Sequence, residues 1–166
     1  VTPAWKFNHW ELKGVPLRLE VGPREVASGQ VFVVRRDNGD KQTMARASIT
    51  KDISALLETV QESLFKKAQD DLDTHTKLVS SWSDFTGALE GGNIILAPFC
   101  SIEDCEDLIK KDSARDQDVE AGAPSMGAKS LCIPFKQPKE MPEGTKCIYP
   151  KCSQKAQYYT LFGRSY

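Results

Sequence analysis

TPAWKFNHWELKGVPLRLEVGPRE, residues 2–25, is the stretch from which the fold of the chain can be read outward. Thr2 before Pro3 has the form of a helix start. The threonine hydroxyl can accept from an unpaired first-turn amide, and proline surrenders an N–H that the first turn does not use. AWKFNHWELK then predicts a helix that Gly14 ends. Beyond the glycine, VPLRLEVGP alternates. Val15, Leu17, Leu19 and Val21 share one face and Arg18 and Glu20 the other, the period-two pattern of a half-buried strand.

Working onward, VFVVRR (31–36) is apolar without alternation, which predicts a central strand, and Asp37-Asn38-Gly39-Asp40 is a two-residue hairpin signal leading into KQTMARASI. Ile53, Leu56, Leu57, Val60, Leu64 and Ala68 recur at helical spacing, so one long amphipathic helix is expected from about Lys51 to Val79. A short helix over Ser83–Leu89 follows, and the glycines of EGGN lead into a strand, IILAPF (94–99). After Pro98 the texture changes. EDCEDLIKK reads as a short helix, DQDVEAGAPSMGAKS as a polar loop, and LCIPF and YYTLF as short strands.

Five cysteines give this second part its chemistry. Cys100 and Cys105 in PFCSIEDC stand five positions apart, and Cys147 and Cys152 in KCIYPKC repeat that step. Matched pairs on two loops are the layout of a four-thiolate zinc site, in which four sulfurs close the coordination sphere and make the metal structural. Ordinary thiols, or two disulfides in a secreted protein, are the other readings. Against secretion stand the absence of a signal-like segment, the odd cysteine and a charged fraction of 27%. Cys132, between Leu131 and Ile133, reads as a small buried hydrophobe. With little apolar material of its own, a segment of this length would gain much of its folding energy from a metal. The expected division is therefore 1–98 and 99–166.

At 166 residues, 40% hydrophobic, a net charge of -1 and a mean hydropathy of -0.42, the chain has the composition of a globular protein, and no apolar stretch reaches membrane-spanning length. Near-neutral charge excludes a protein coated in basic groups but leaves room for a local nucleic-acid patch. No glycine-rich phosphate loop or Ser-His-Asp signature is present, and His9 and His75 lie far apart, so the chain by itself is not expected to be a catalyst. Residues 5–25 interleave aromatics with charge. Phe7 and Glu11 share a helical face, Arg18 leaves the polar face of the next strand, and Arg24 and Glu25 follow Gly22-Pro23 in a turn. Aromatics stack on unpaired bases, and a carboxylate suits the two donors of guanine. The same aromatics could equally be core and the charges a solvated rim.

Three blocks, WKFNHWELKGVPLRLEVGPRE, DQDVEAGAPSMGAKSLCIPF and the terminal YYTLFGRSY, resemble the C-terminal part of eukaryotic-type prolyl-tRNA synthetase, including the form fused to a glutamyl-tRNA synthetase. The likeness runs over essentially the whole chain. It implies an α/β anticodon-binding fold of a class II synthetase, entered after its first strand, helix and second strand, followed by a small α+β zinc-binding domain. Such a start would leave the sheet short of strands and expose an apolar edge. The resemblance also implies that Phe7 stacks on an anticodon base and that Glu11, Arg18, Arg24, Glu25 and Lys41 contact base edges or nearby backbone. Glu25 stands where some members carry aspartate. Cys100, Cys105, Cys147 and Cys152 would hold a structural zinc, although some members space the second pair more tightly than Cys147 and Cys152. Tyr166 takes the place of a terminal tyrosine whose carboxylate folds back toward the catalytic core in a related branch. ATP and Mg would belong to that core, which activates proline and lies outside this chain. Implied partners are tRNA(Pro), the catalytic core, a second copy of the parent in a homodimer and a multi-synthetase complex, in the cytoplasm and without a membrane. The competing function class is a zinc-braced structural or protein-interaction module with no direct RNA role.

Overall fold

The computed structural model describes residues 2–114 and 126–164, and its contacts divide the chain into two compact units, Val1–Asp70 and Asp71–Tyr166. The first begins with α1 (Pro3–Leu12), where the Thr2 hydroxyl accepts from the Trp5 amide at 3.3 Å, and continues through β1 (Leu17–Glu20), α2 (Pro23–Ser28), β2 (Gln30–Arg35) and β3 (Lys41–Ala45). The three strands form an antiparallel sheet in the order β1-β2-β3, with β2 central as its unbroken apolar run predicts. Leu17, Val31 and Val33 from this sheet pack with Leu56 and Val60 of α3 (Ile49–His75), and Met44, Ile49 and Ile53 close the edges.

Several expectations are adjusted within this unit. The turn expected after Gly22-Pro23 is the short helix α2, because Glu25 reaches back to accept from the Gly22 amide at 2.9 Å and caps it. The hairpin is present, but its loop is four residues, since the Arg35 amide still bonds the Asp40 carbonyl at 2.9 Å and Gly39 closes the turn at φ +77. Of the alternating face of β1 only Leu17 is buried, while Leu19 and Val21 stay exposed. Along α3 the apolar stripe is likewise covered at Leu56 and Val60 and open at Leu57 and Leu64. Arg35 is a buried cation in this unit, held by both carboxylate oxygens of Asp37 (3.0 and 2.6 Å) and by the Ser63 hydroxyl at 3.1 Å. The Arg35 hydrogen bond holds the Asp37 carboxyl below the usual carboxylate range.

The second unit is built on a four-stranded sheet in the order β4-β5-β7-β6, with β4 (Thr76–Leu78), β5 (Ile94–Phe99), β6 (Lys129–Cys132) and β7 (Tyr158–Gly163). The expected helix does not run to Val79. It ends at His75, because Thr76–Leu78 pairs in parallel with Ile94–Leu96, and strand pairing overrides the helical period there. α4 (Trp82–Glu90) forms the crossover and buries Phe85 and Leu89 against Ile95, Phe99 and Phe162. α5 (Glu103–Asp112) packs Cys105 and Ile109 into the same core, together with Ile148 and Tyr149. Gly127 passes so close to the end of α5 that a Cβ there would stand 1.6 Å from the Lys110 carbonyl oxygen.

The boundary expected between 98 and 99 falls inside β5, which pairs with β7 from Ile95↔Phe162 to Phe99↔Tyr158. Residues on both sides of it contribute to one core, so the thiol-bearing segment is not packed apart from what precedes it. Cys132 also differs from expectation. It is exposed, because β6 is an edge strand whose register shifts between Ser130 and Cys132. Most of the polar loop, residues 115–125, and Tyr166 lie outside the described residues.

Candidate functional site

α1 and β1 are joined by a tight reversal. The Gly14 amide bonds the Glu11 carbonyl at 3.0 Å with φ +85, and the Val15 amide bonds the Trp10 carbonyl at 3.1 Å. This reversal brings the polar face of β1 back to the Phe7–Glu11 face of α1. The Arg18 guanidinium then lies 4.0 Å from the centroid of the Phe7 ring, ion-paired to Glu11 Oε1 and donating from Nε to Glu20 Oε1 at 2.8 Å. A hollow of about 480 Å³ opens beside it, lined by Lys6, Phe7, Trp10, Glu11, Arg18 and Leu19 among others. A second, of about 540 Å³, is lined by Phe7, Leu19, Glu20, Gly22, Glu25 and Phe32. Phe7 and Leu19 line both hollows, and Arg18 lines the first.

Of the six residues expected here, Arg18 thus contacts both Phe7 and Glu11. Glu25 lines the second hollow while capping α2. Arg24 is exposed on α2, and Lys41 is exposed at the start of β3 opposite Val34; neither lines these two hollows. Glu20 was absent from the expected set, although its two-residue spacing from Arg18 on one strand face was the signal that could have included it.

The thiols form the other site. Cys100 follows β5, Cys105 lies in the first turn of α5, and Cys147 and Cys152 lie on the loop before β7. Cys105 and Cys147 have their sulfurs 3.7 Å apart and Cys100 and Cys152 3.9 Å, and all four sulfurs fall within 4.8 Å of one another. Ser101, between the first cysteine and α5, takes a left-handed φ of 59, a backbone cost accepted where the chain must turn sharply. The second loop is closed by Cys147 N to Gln154 O (3.1 Å) and Cys152 N to Tyr149 O (3.0 Å), and strapped to β5 by Ile148 N to Pro98 O at 2.7 Å. Its tyrosine is buried against Trp82, and the phenol donates to Asp112 Oδ2 at 2.6 Å, where Lys151 Nζ also donates at 2.8 Å.

Burial raises the Cys105 thiol well above its ordinary value, with further contributions from Cys147 and Cys100, and pushes Cys147 up to about 11. At Cys152 the raising effect of burial is outweighed by hydrogen bonds from the Gln154 backbone and the neighbouring thiols, and that thiol is held lower. Four crowded sulfurs need a cation before they can all ionise, and the convergence of four donors fits a metal ion. Among the described residues this is the one such group of three or more candidate ligands.

The chain thus carries a three-stranded sheet with an aromatic and charged helix–strand face and, in the following unit, four convergent thiols that could hold a metal ion. The family described as "Prolyl-tRNA synthetase, C-terminal" matches residues 82–166, and "Anticodon binding domain" matches residues 1–56. The chain belongs to the prolyl-tRNA synthetase C-terminal family. It is 59% identical over 165 residues to a bifunctional glutamate/proline–tRNA ligase of Drosophila melanogaster, covering 99% of this chain and 10% of that protein. It is 42% identical over 165 residues to the cytoplasmic proline–tRNA ligase of Arabidopsis thaliana (99% of this chain, 29% of that one). With the proline–tRNA ligase of Encephalitozoon cuniculi it shares 41% identity over 166 residues, 100% of this chain and 32% of that one. The chain thus spans about a tenth to a third of the length of these relatives.

Proposed function

We propose that the chain is the anticodon-reading and structural C-terminal part of a proline–tRNA ligase, the enzyme that attaches proline to tRNA(Pro) using ATP. The observation that carries this reading is the Phe7–Arg18–Glu11 cluster on the α1–β1 face, which lines the first hollow and, at Phe7, the second. Phe7 offers a ring to an unstacked base, Glu11 offers a carboxylate to the paired donors of a guanine edge, and Arg18 offers donors to acceptor edges. Glu25 faces the second hollow, while Arg24 and Lys41 supply exposed cations for backbone phosphate. Binding energy gathered here would position the distant acceptor end of the tRNA in the parent enzyme, whose ATP and Mg site belongs to a catalytic core beyond these residues.

Zinc is the metal the four sulfurs suit best. Tetrahedral thiolate bonds of about 2.3 Å separate their sulfurs by about 3.8 Å, against the 3.7 and 3.9 Å seen for the two close pairs. Cys100, Cys105, Cys147 and Cys152 would hold it, and when bound it supplies the positive charge that keeps four buried thiolates together. Its role is structural, since four protein ligands leave no open position. Among the described residues no helix is long and apolar enough to cross a membrane. The word cytoplasmic in the name of the Arabidopsis relative supports a cytoplasmic parent, and the bifunctional ligase among the relatives supports a multi-synthetase setting; a homodimeric parent is a further partner to test.

The test is a titration of the chain with tRNA bearing the proline anticodon against the same tRNA with its second and third anticodon bases changed. Tighter binding of the first is expected. Equal affinity would leave the α1–β1 cluster without a reading role and favour an interaction module. The chain alone is expected to show no ATP-dependent activation of proline, measured by pyrophosphate exchange.

A further inference from the structure

Arg18 is held at three points, and the three are not equivalent. Its guanidinium lies over Phe7, its Nη1 meets Glu11 on α1, and its Nε meets Glu20 on its own strand. Side chains two apart on a strand leave the same face, so the Arg18–Glu20 contact is set by β1 itself, whereas the Arg18–Glu11 contact crosses from strand to helix. The side chain of Glu11 is also the more open of the two carboxylates, at 48% exposure against 35% for Glu20.

One cation between two carboxylates leaves one negative charge over. If Arg18 had Glu11 alone, the pair would be neutral, and a base edge approaching Glu11 would have to take the carboxylate from its only cation. With Glu20 present, Arg18 keeps a charge-assisted partner after Glu11 lets go and stays over the Phe7 ring. Glu11 then carries the uncompensated charge toward the hollow that it lines with Phe7 and Arg18. Glu20 lines the second hollow and not the one that Glu11 lines.

We infer that Glu20 is a positioning residue: it retains Arg18 on Phe7 so that Glu11 can exchange its ion pair for the donors of a base. This rests on the anticodon reading proposed above. Glu20 acts through Arg18 and need not touch RNA.

The experiment is a double-substitution cycle on the full chain, with folding of each variant checked by its amide NMR spectrum. Stem-loop RNAs carrying the proline anticodon or the anticodon with altered second and third bases are titrated. Glu20→Ala is expected to reduce discrimination between them about tenfold, and Arg18→Ala with Glu20→Ala is expected to lose no more than Arg18→Ala alone. Glu20→Gln keeps an acceptor for Nε and should lose less than Glu20→Ala. In the free protein, the Arg18 Nε–H resonance should be slow to exchange with water and become fast in Glu20→Ala. Additive losses in the cycle, or a glutamine variant as poor as the alanine one, would overturn the inference. Discrimination by the unaltered chain that Glu20→Ala leaves intact overturns the role of Glu20 alone. Absence of discrimination in the unaltered chain overturns the anticodon reading, and Glu20 with it.

Discussion

The charged side chains of the α1–β1 face are reachable by solvent, with Glu11 48% and Arg18 26% exposed, whereas Cys100, Cys105 and Cys147 lie in the core with Phe85, Tyr149 and Phe162 around them. An exposed ion pair in high dielectric is worth about 1 kcal/mol or less, so its members can change partners at little cost. Buried thiols have no such freedom, because their contacts are part of the packing. The side chains proposed to read RNA therefore sit where exchange is easy, and the four thiols where exchange would disturb the core.

The sharpest way to break this comparison is to remove the metal. Purified reduced protein should contain about one zinc per chain, and its loss by chelation or by Cys105→Ser should cost on the order of 10 kcal/mol of folding energy to the second unit. Because one core joins Val79, Phe85 and Ile95 to the cysteine loops, protection from hydrogen exchange should fall in α4 and β5 as well as beyond Cys100. The first unit's sheet, β1-β2-β3, should stay protected. Cys132→Ala, on an exposed edge strand, should leave the zinc content unchanged. A metal-free reduced protein that keeps α4 and β5 protected would show that the metal is not needed for the core.

On the open face, Glu11→Ala should cost roughly 1 to 3 kcal/mol of binding to RNA with the proline anticodon and much less with an altered anticodon. Thermal unfolding of the free chain should move little, because the pair it breaks is exposed. Equal losses with both RNAs would remove the contrast between a reading site and a structural one.

A buried pair within the first unit tests whether exposure, rather than location in the chain, sets the difference. Asp37 is held below its ordinary pKa by its hydrogen bond to Arg35, so its contribution is full above the unfolded value of about 3.9 and is lost as pH falls through the lower folded value. Unfolding midpoints followed from pH 6 to pH 2 should show the unaltered chain falling toward Asp37→Asn only below about pH 4. A constant gap between the two across that range would mean that Asp37 acts by shape and not by charge.

The smallest effect belongs to Lys41. Replacing it with alanine should weaken all RNAs alike and lower the slope of log affinity against log salt by about 1. A base-dependent loss would move Lys41 from phosphate to base contact.

Local pattern was enough for the elements around the open face. Thr2, Pro3 and Gly14 bracket α1, the apolar run 31–36 marks a central strand, and the polar alternation of 15–21 puts Arg18 and Glu20 on one face. These signals lie within a few residues of the structures they report. The matched cysteine spacing likewise announced the thiol cluster across a gap of 41 residues, because two pairs of soft ligands at one repeat have few other uses. The burial of Arg35 beneath Ser63 had no such local signal.

By itself the sequence determined the cores of most helices and strands and which residue types could meet a base or a metal, since capping, alternation and ligand spacing are short-range properties of the chain; the helix at Pro23–Ser28 reads locally as a turn. Where helix α3 stops was decided by tertiary structure, as Thr76–Leu78 gains more from pairing with β5 than from another helical turn. So was the fate of Cys132, whose apolar neighbours predicted burial but whose strand took the sheet edge. The single core on both sides of Pro98 was decided in the same way, through the β5–β7 ladder. Each of these depends on partners far away in the chain, and pairing between distant segments is what a local pattern cannot encode.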